Sequence, residues 1–353
     1  MPGSLASRPS HYSSIVSPIG GAASLPAGGE HAGSTARPVA LFVVGLGRSG
    51  TSALARVLSL CGGALPPGLL GATSTNKRGF FEPRAAIVLN EEILRSRGTS
   101  GFDMGIPTRE EIADDPRKTA RHIAKVSAYL ASLPSAPLVV IKEPKTTLAA
   151  GIWFEAAAQA GFDVAAVIAL RHPEEVFASI AKRANRQRYV KAAPELAAAG
   201  WLKYTLLAER DTRGVPRVVV EYTNLLEDWR RETGRIAAAL AIDLDTRDEV
   251  AVDEFLTPDL RHHRFSGPIL EPFGTDWMAV VYQELSLAAR DQPWDSAEMD
   301  RVLAEYQLAE RGFRNAFVDH QRYRNLNRFM PPFMVRLGLG TLALANRRKG
   351  TWA

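Results

Sequence analysis

The stretch Val39-Ala40-Leu41-Phe42-Val43-Val44-Gly45-Leu46-Gly47-Arg48-Ser49-Gly50-Thr51-Ser52 constrains this chain more than any other. An apolar run enters a glycine-rich turn, and a helical pattern starts at once. Such a turn exposes backbone N–H groups at the positive end of a helix dipole, which is how a chain cradles phosphate. Gly45 and Gly50 have the spacing of a nucleotide-binding loop, but Thr51 stands where an ATP- or GTP-binding loop puts its Lys. The cation lies inside the loop instead, as Arg48. The loop is built for a phosphate without being built like that of an NTPase.

A second strand-to-helix junction lies far downstream. The apolar run 164–170 leads into Arg171-His172-Pro173-Glu174-Glu175-Val176-Phe177-Ala178-Ser179. Pro173 suits a first helical turn, and Glu174 and Glu175 suit its positive end. Arg171 then sits at a strand tip and Ser179 about two turns down the helix. Together the two segments resemble the sulfotransferase superfamily. In that resemblance Gly45 to Ser52 is the 5′-phosphosulfate loop, and Arg171 with Ser179 is the 3′-phosphate pair. The donor it implies is 3′-phosphoadenosine-5′-phosphosulfate (PAPS), and the fold it implies is a P-loop NTPase-like three-layer α/β/α with a central parallel sheet. Arg48 in place of the Lys of many cytosolic members points to the carbohydrate branch.

Composition narrows the class. A chain of 353 residues with 46% apolar content can bury a sizeable core in one large domain or two small ones. The net charge of +5 is spread out, which fits an enzyme handling anions and gives no support for nucleic acid. One cysteine, Cys61, excludes an intramolecular disulfide and a multi-cysteine metal site. It falls in register with Leu54, Val57 and Leu58, so burial is expected. The reading is a cytoplasmic protein: no apolar run reaches the ~20 residues of a membrane span, and no signal pattern opens the chain.

Residues 1–37, rich in Gly, Ser, Ala and Pro, read as a disordered leader, 38–330 as the catalytic domain and 331–353 as a tail. Strands are expected at 39–45, 138–142, 163–170 and 217–221. Helices are expected at 50–61, 84–97, 117–133, 173–184, 223–241 and 296–316. Short apolar strands alternating with helices imply a parallel sheet covered on both faces. The tail is apolar but interrupted by Arg336 and glycines. It is too short to span a bilayer, and either a peripheral membrane contact or packing on the core fits it.

Sulfuryl transfer needs a held donor, stabilised developing charge and a base for the acceptor hydroxyl. N–H groups of Ser49, Gly50, Thr51 and Ser52, next to Gly47, can surround the 5′-phosphate, with the Thr51 and Ser52 hydroxyls adding bonds. The resemblance gives Arg48 the leaving-group charge, and Arg183 lies one turn beyond Ser179. Lys142, in Ile141-Lys142-Glu143-Pro144-Lys145, should emerge at the sheet's ligand-binding edge, touching the transferring group, the acceptor or only solvent. Glu82, in the segment 76–83, resembles the base of carbohydrate-type members. Partial desolvation would strengthen it, whereas a salt bridge to Lys77, Arg78 or Arg84 would make it structural. His122 is the reserve base. His262 and His263 lack a third ligand, so no metal is expected. Arg347, Arg348 and Lys349 read as a solvated tail.

The expected activity is PAPS-dependent sulfation of a hydroxyl, with the resemblance to the carbohydrate branch implying a saccharide or glycolipid acceptor. A nucleotide kinase is the enzymatic rival, against which Thr51 argues. A nucleotide-binding module without turnover is the other rival, and it needs no base.

Overall fold

In the computed structural model the described residues run from 37 to 346, except 74, 75, 77, 109–114, 187–192, 247, 258–264, 266 and 330. Side chains at 183–186, 323, 326–329 and 346 are also outside the description. The expected leader up to residue 36, Lys77, the Arg183 side chain, His262 with His263, and Arg347 to Lys349 therefore lie outside the described residues.

Strand β1 (Val39–Val44) leads through the glycine loop into α1 (Thr51–Leu60). Helices α2 (Arg84–Ser96) and α3 (Pro116–Ala131) precede β2 (Leu138–Ile141). A 3₁₀ turn (Pro144–Ala149), α4 (Ala150–Gln159) and β3 (Asp163–Leu170) follow. Then come α5 (Pro173–Arg186), α6 (Pro194–Asp211) and β4 (Arg217–Glu221). Helices α7 (Tyr222–Glu227), α8 (Trp229–Leu240), α9 (Glu249–Phe255), α10 (Trp277–Ala288), α11 (Ser296–Phe329) and α12 (Pro332–Asn346) complete the chain.

The sheet is parallel throughout, in the order β2-β1-β3-β4. Its strands are almost wholly apolar, with charged residues only at the ends of β3 and β4, because both faces are covered, yet the period of two still sorts them. Ala40, Phe42, Val44, Val139, Ile141, Ile168 and Val219 face one core with α4, α6 and α10. Leu41, Val43, Leu138, Val140, Val167, Val218 and Val220 face the other with α1 and α8. The architecture is the expected three-layer α/β/α. Cys61 is fully buried in the second core, and burial pushes its thiol up to about 11, so it packs as a small apolar side chain.

Arg37 reaches across to the end of α4, where its guanidinium donates to the Gly161 and Phe162 carbonyls. Among the described residues no helix is long and apolar enough to cross a membrane.

Candidate functional site

All four strands end at the same sheet edge, and each hands the site a different residue. From β1 comes the loop 45–50. Gly45 has φ +125°, and a Cβ there would stand 2.8 Å from the Ala169 carbonyl oxygen of β3. Its N–H donates to Thr147 Oγ1 at 2.9 Å, which fastens the loop to the 3₁₀ turn. Gly50 caps α1 with φ +87°, and a Cβ there would meet the Tyr222 ring at 2.4 Å. Gly50 has no side chain to cap α1, so it leaves the N–H groups of the first turn without the usual capping oxygen. The Ser49 N–H, in contrast to expectation, turns back to the Leu46 carbonyl at 3.1 Å.

Between these glycines Arg48 itself adopts φ +82°. A non-glycine residue in this region carries strain and persists only when its surroundings enforce it. Here the enforcing contacts come from β3 and α5. Arg171, at the β3 tip, donates to the Arg48 carbonyl at 3.1 Å, and Arg48 Nε donates to Ser179 Oγ at 2.8 Å. The two segments that the sequence singled out are therefore bonded to each other, with Arg48 as the junction.

Arg171 is 7% exposed and held on three sides. Its Nε donates to Glu175 Oε2 at 2.9 Å, its guanidinium lies 4.7 Å over the Tyr222 ring, and its carbonyl accepts from Trp201 Nε1. Tyr222 begins α7 directly after β4, so the fourth strand supplies the floor.

Lys142 leaves the tip of β2 and is 1% exposed. Its Nζ donates to Ser52 Oγ at 3.0 Å, to the Phe80 carbonyl at 3.0 Å and to Glu82 Oε1 at 2.6 Å. The counterion of Glu82 is thus Lys142 rather than Arg78 or Arg84; Arg78 bonds the Phe255 carbonyl and Thr257 Oγ1, and Arg84 bonds the Gly68 carbonyl. Burial lowers the Lys142 pKa, Glu82 and Glu143 oppose that, and the positive charge of Arg48 lowers it further. Lys142 therefore feels the positive charge of Arg48 as well as its own carboxylate partner. Phe81 at φ +55° turns the chain so that Glu82 points back to Lys142.

Behind Lys142 lies a buried carboxyl that the sequence did not mark. Glu143 is 2% exposed, and burial pushes it up to about 7, with Lys145 and an Asn90 hydrogen bond pulling the other way. Asn90 is fixed by Trp153 Nε1 and Thr146 Oγ1. His122, the reserve base, packs between α3 and α2 with Nε2 at 2.9 Å from Ser96 Oγ, and burial lowers its pKa. Tyr222 and Thr147 carry no mark in the sequence either, and Glu175 reads there only as a charge at a helix N-terminus. Tyr222 and Glu175 stand within a few positions of strand tips that had been marked, which was the available signal.

No family model and no curated protein sequence matches the chain. Solved structures do. Two of them are a sulfotransferase domain from the curacin biosynthetic pathway and one from the olefin synthase of Synechococcus PCC 7002. Both are sulfotransferase domains. The first is 15% identical with a TM-score of 0.36, over 76% of this chain and 97% of that one. The second is 20% identical with a TM-score of 0.37, over 76% and 94%.

Proposed function

We propose that this chain is a PAPS-dependent sulfotransferase that moves a sulfuryl group to a hydroxyl acceptor. The observation that carries the reading is the Arg171–Arg48–Ser179 junction. It ties the cation of the 5′-phosphate loop to the pair read as the 3′-phosphate site, so one donor bearing both phosphates has a continuous polar surface to lie on.

The residues fit such a donor. The glycine loop admits no side chain at Gly45 or Gly50, and the uncapped first turn of α1 suits a 5′-phosphate. Arg171 and Ser179 offer a guanidinium and a hydroxyl to a 3′-phosphate. PAPS supplies the sulfuryl group. In the transfer, the bond from the acceptor oxygen to sulfur forms as the bond from sulfur to the bridging phosphate oxygen breaks. Arg48 and Lys142 stabilise the charge that develops there. Glu82 accepts the acceptor's proton, and its bond to Lys142 fixes the direction in which it does so. The acceptor class in this reading stays a saccharide or glycolipid, supported by the likeness of segment 76–83 to the carbohydrate branch.

Calorimetric titration of adenosine 3′,5′-bisphosphate against magnesium ATP tests the donor class. Tight binding of the bisphosphate and weak binding of magnesium ATP is the expected result. The reverse order would favour the kinase reading and end this one.

A further inference from the structure

The end of the chain carries two features that belong together. Helix α12 reads PFMVRLGLGTLALAN, with Arg336 its one charged residue. Phe333, Leu337 and Leu344, at i, i+4 and i+11, are 70%, 68% and 66% exposed, and Met334, Val335, Leu339 and Leu342 are exposed on its other sides, so the helix is apolar all round. The distal part of α11 adds exposed Phe313 and Phe317. An apolar surface this long marks a place where something docks. It is not a membrane span: 15 residues rise about 22 Å, against a hydrocarbon core of about 30 Å.

The second feature is charge. From His320 to Ala353 the sequence holds Arg322, Arg324, Arg328, Arg336, Arg347, Arg348 and Lys349, and no Asp or Glu. The whole chain has a net charge of +5, so these seven cations turn a remainder of −2 positive. The basic excess of the protein belongs to the segment that carries the apolar helix. A second copy docking on α12 would bring seven like charges against seven. An apolar groove on a partner protein would cover the helix but leave the cations without a role. A bilayer surface rich in anionic lipid answers both features at once.

We propose that α12 and the arginines around it form an interfacial anchor that docks this protein on anionic membrane. Phe333, Leu337 and Leu344 enter the acyl boundary, with Arg322, Arg324 and Arg336 at headgroup phosphates.

Co-sedimentation of the full chain with vesicles tests this. The protein pellets with phosphatidylcholine vesicles holding about a third phosphatidylserine and far less with phosphatidylcholine alone, and added salt weakens the binding. The double change Leu337→Asp and Leu344→Asp abolishes pelleting without lowering the melting temperature. The pair Arg322→Gln and Arg324→Gln weakens binding by about tenfold or more, at roughly fivefold per charge removed. Three results would each overturn the proposal: no pelleting with either vesicle, equal pelleting with both, or a dimer in solution that Leu337→Asp dissociates, which would make a second copy the cover.

Discussion

Arg48 joins two neighbours, Arg171 through its carbonyl and Ser179 through its guanidinium, and that sets the expectations for both. Arg171→Ala would remove a charge-assisted bond worth about 1.5–3 kcal/mol to a phosphate. Binding of adenosine 3′,5′-bisphosphate is expected to weaken by about 10- to 150-fold, and that of adenosine 5′-phosphate much less. Because Arg171 also holds the Arg48 carbonyl, equal losses for the two ligands would mean that it acts only by shaping the loop. Glu82→Gln is expected to cut turnover by about 10²–10⁴-fold with donor affinity nearly unchanged. Near-normal turnover would reduce Glu82 to the counterion of Lys142. The end of β2 specifies where Lys142 emerges, at the sheet edge. Its partner was hidden, because the two lie 60 residues apart and no local pattern links them.

Glu143 gives a pH signature of its own. Burial raises it from its ordinary 4.5 to about 7, so the folded chain keeps a proton that the unfolded chain has released. The contribution of this group is full below about pH 4.5, falls as pH rises toward 7, and stays lost above. The shift corresponds to about 3 kcal/mol. Urea unfolding of the protein and of Glu143→Gln at pH 5 and pH 8 should show the variant gaining on the parent by up to that amount at the higher pH. The same difference at both values would remove Glu143 from this role.

At the scale of elements, all four strands were legible to within one residue, since each is a short apolar run bounded by polar residues. Pattern reading failed where burial removes periodicity. Helix α6 is buried along most of its length, including Lys203, Thr205 and Glu209, and α4 marks its exposed face with only two polar side chains, Glu155 and Gln159, so neither shows the long polar stripe that pattern reading looks for. Residues 223–241 read as one helix but form two, because Asp228 leaves helical geometry and its carboxylate caps the Arg231 N–H. Helix α11 continues beyond residue 316 as far as Phe329, where the apolar period fades but nothing breaks the helix. The glycine loop offers a matched pair of tests. Gly50→Ala puts a Cβ into the Tyr222 ring on a backbone of φ +87°, and a loss of about 1–3 kcal/mol is expected. Gly151→Ala, inside α4 with nothing within 4 Å, should instead gain up to about 1 kcal/mol. Thermal melts of both decide it, and similar shifts would mean that the loop relaxes freely around a side chain.

For the molecule as a whole, the sheet order brings together residues that the sequence keeps far apart. Arg48 and Ser179 are 131 positions apart, and the ring of Tyr222 lies against Gly50, where it leaves no room for a side chain. The consequence is one of timing. On the ribosome, the loop after β1 emerges early but has neither the guanidinium that holds its strained arginine nor the aromatic floor under its last glycine. On the proposed function, its grip on an anion waits until β4 has cleared the exit tunnel and closed the sheet. A nascent chain stalled before Tyr222 would carry every residue of the motif and none of its affinity.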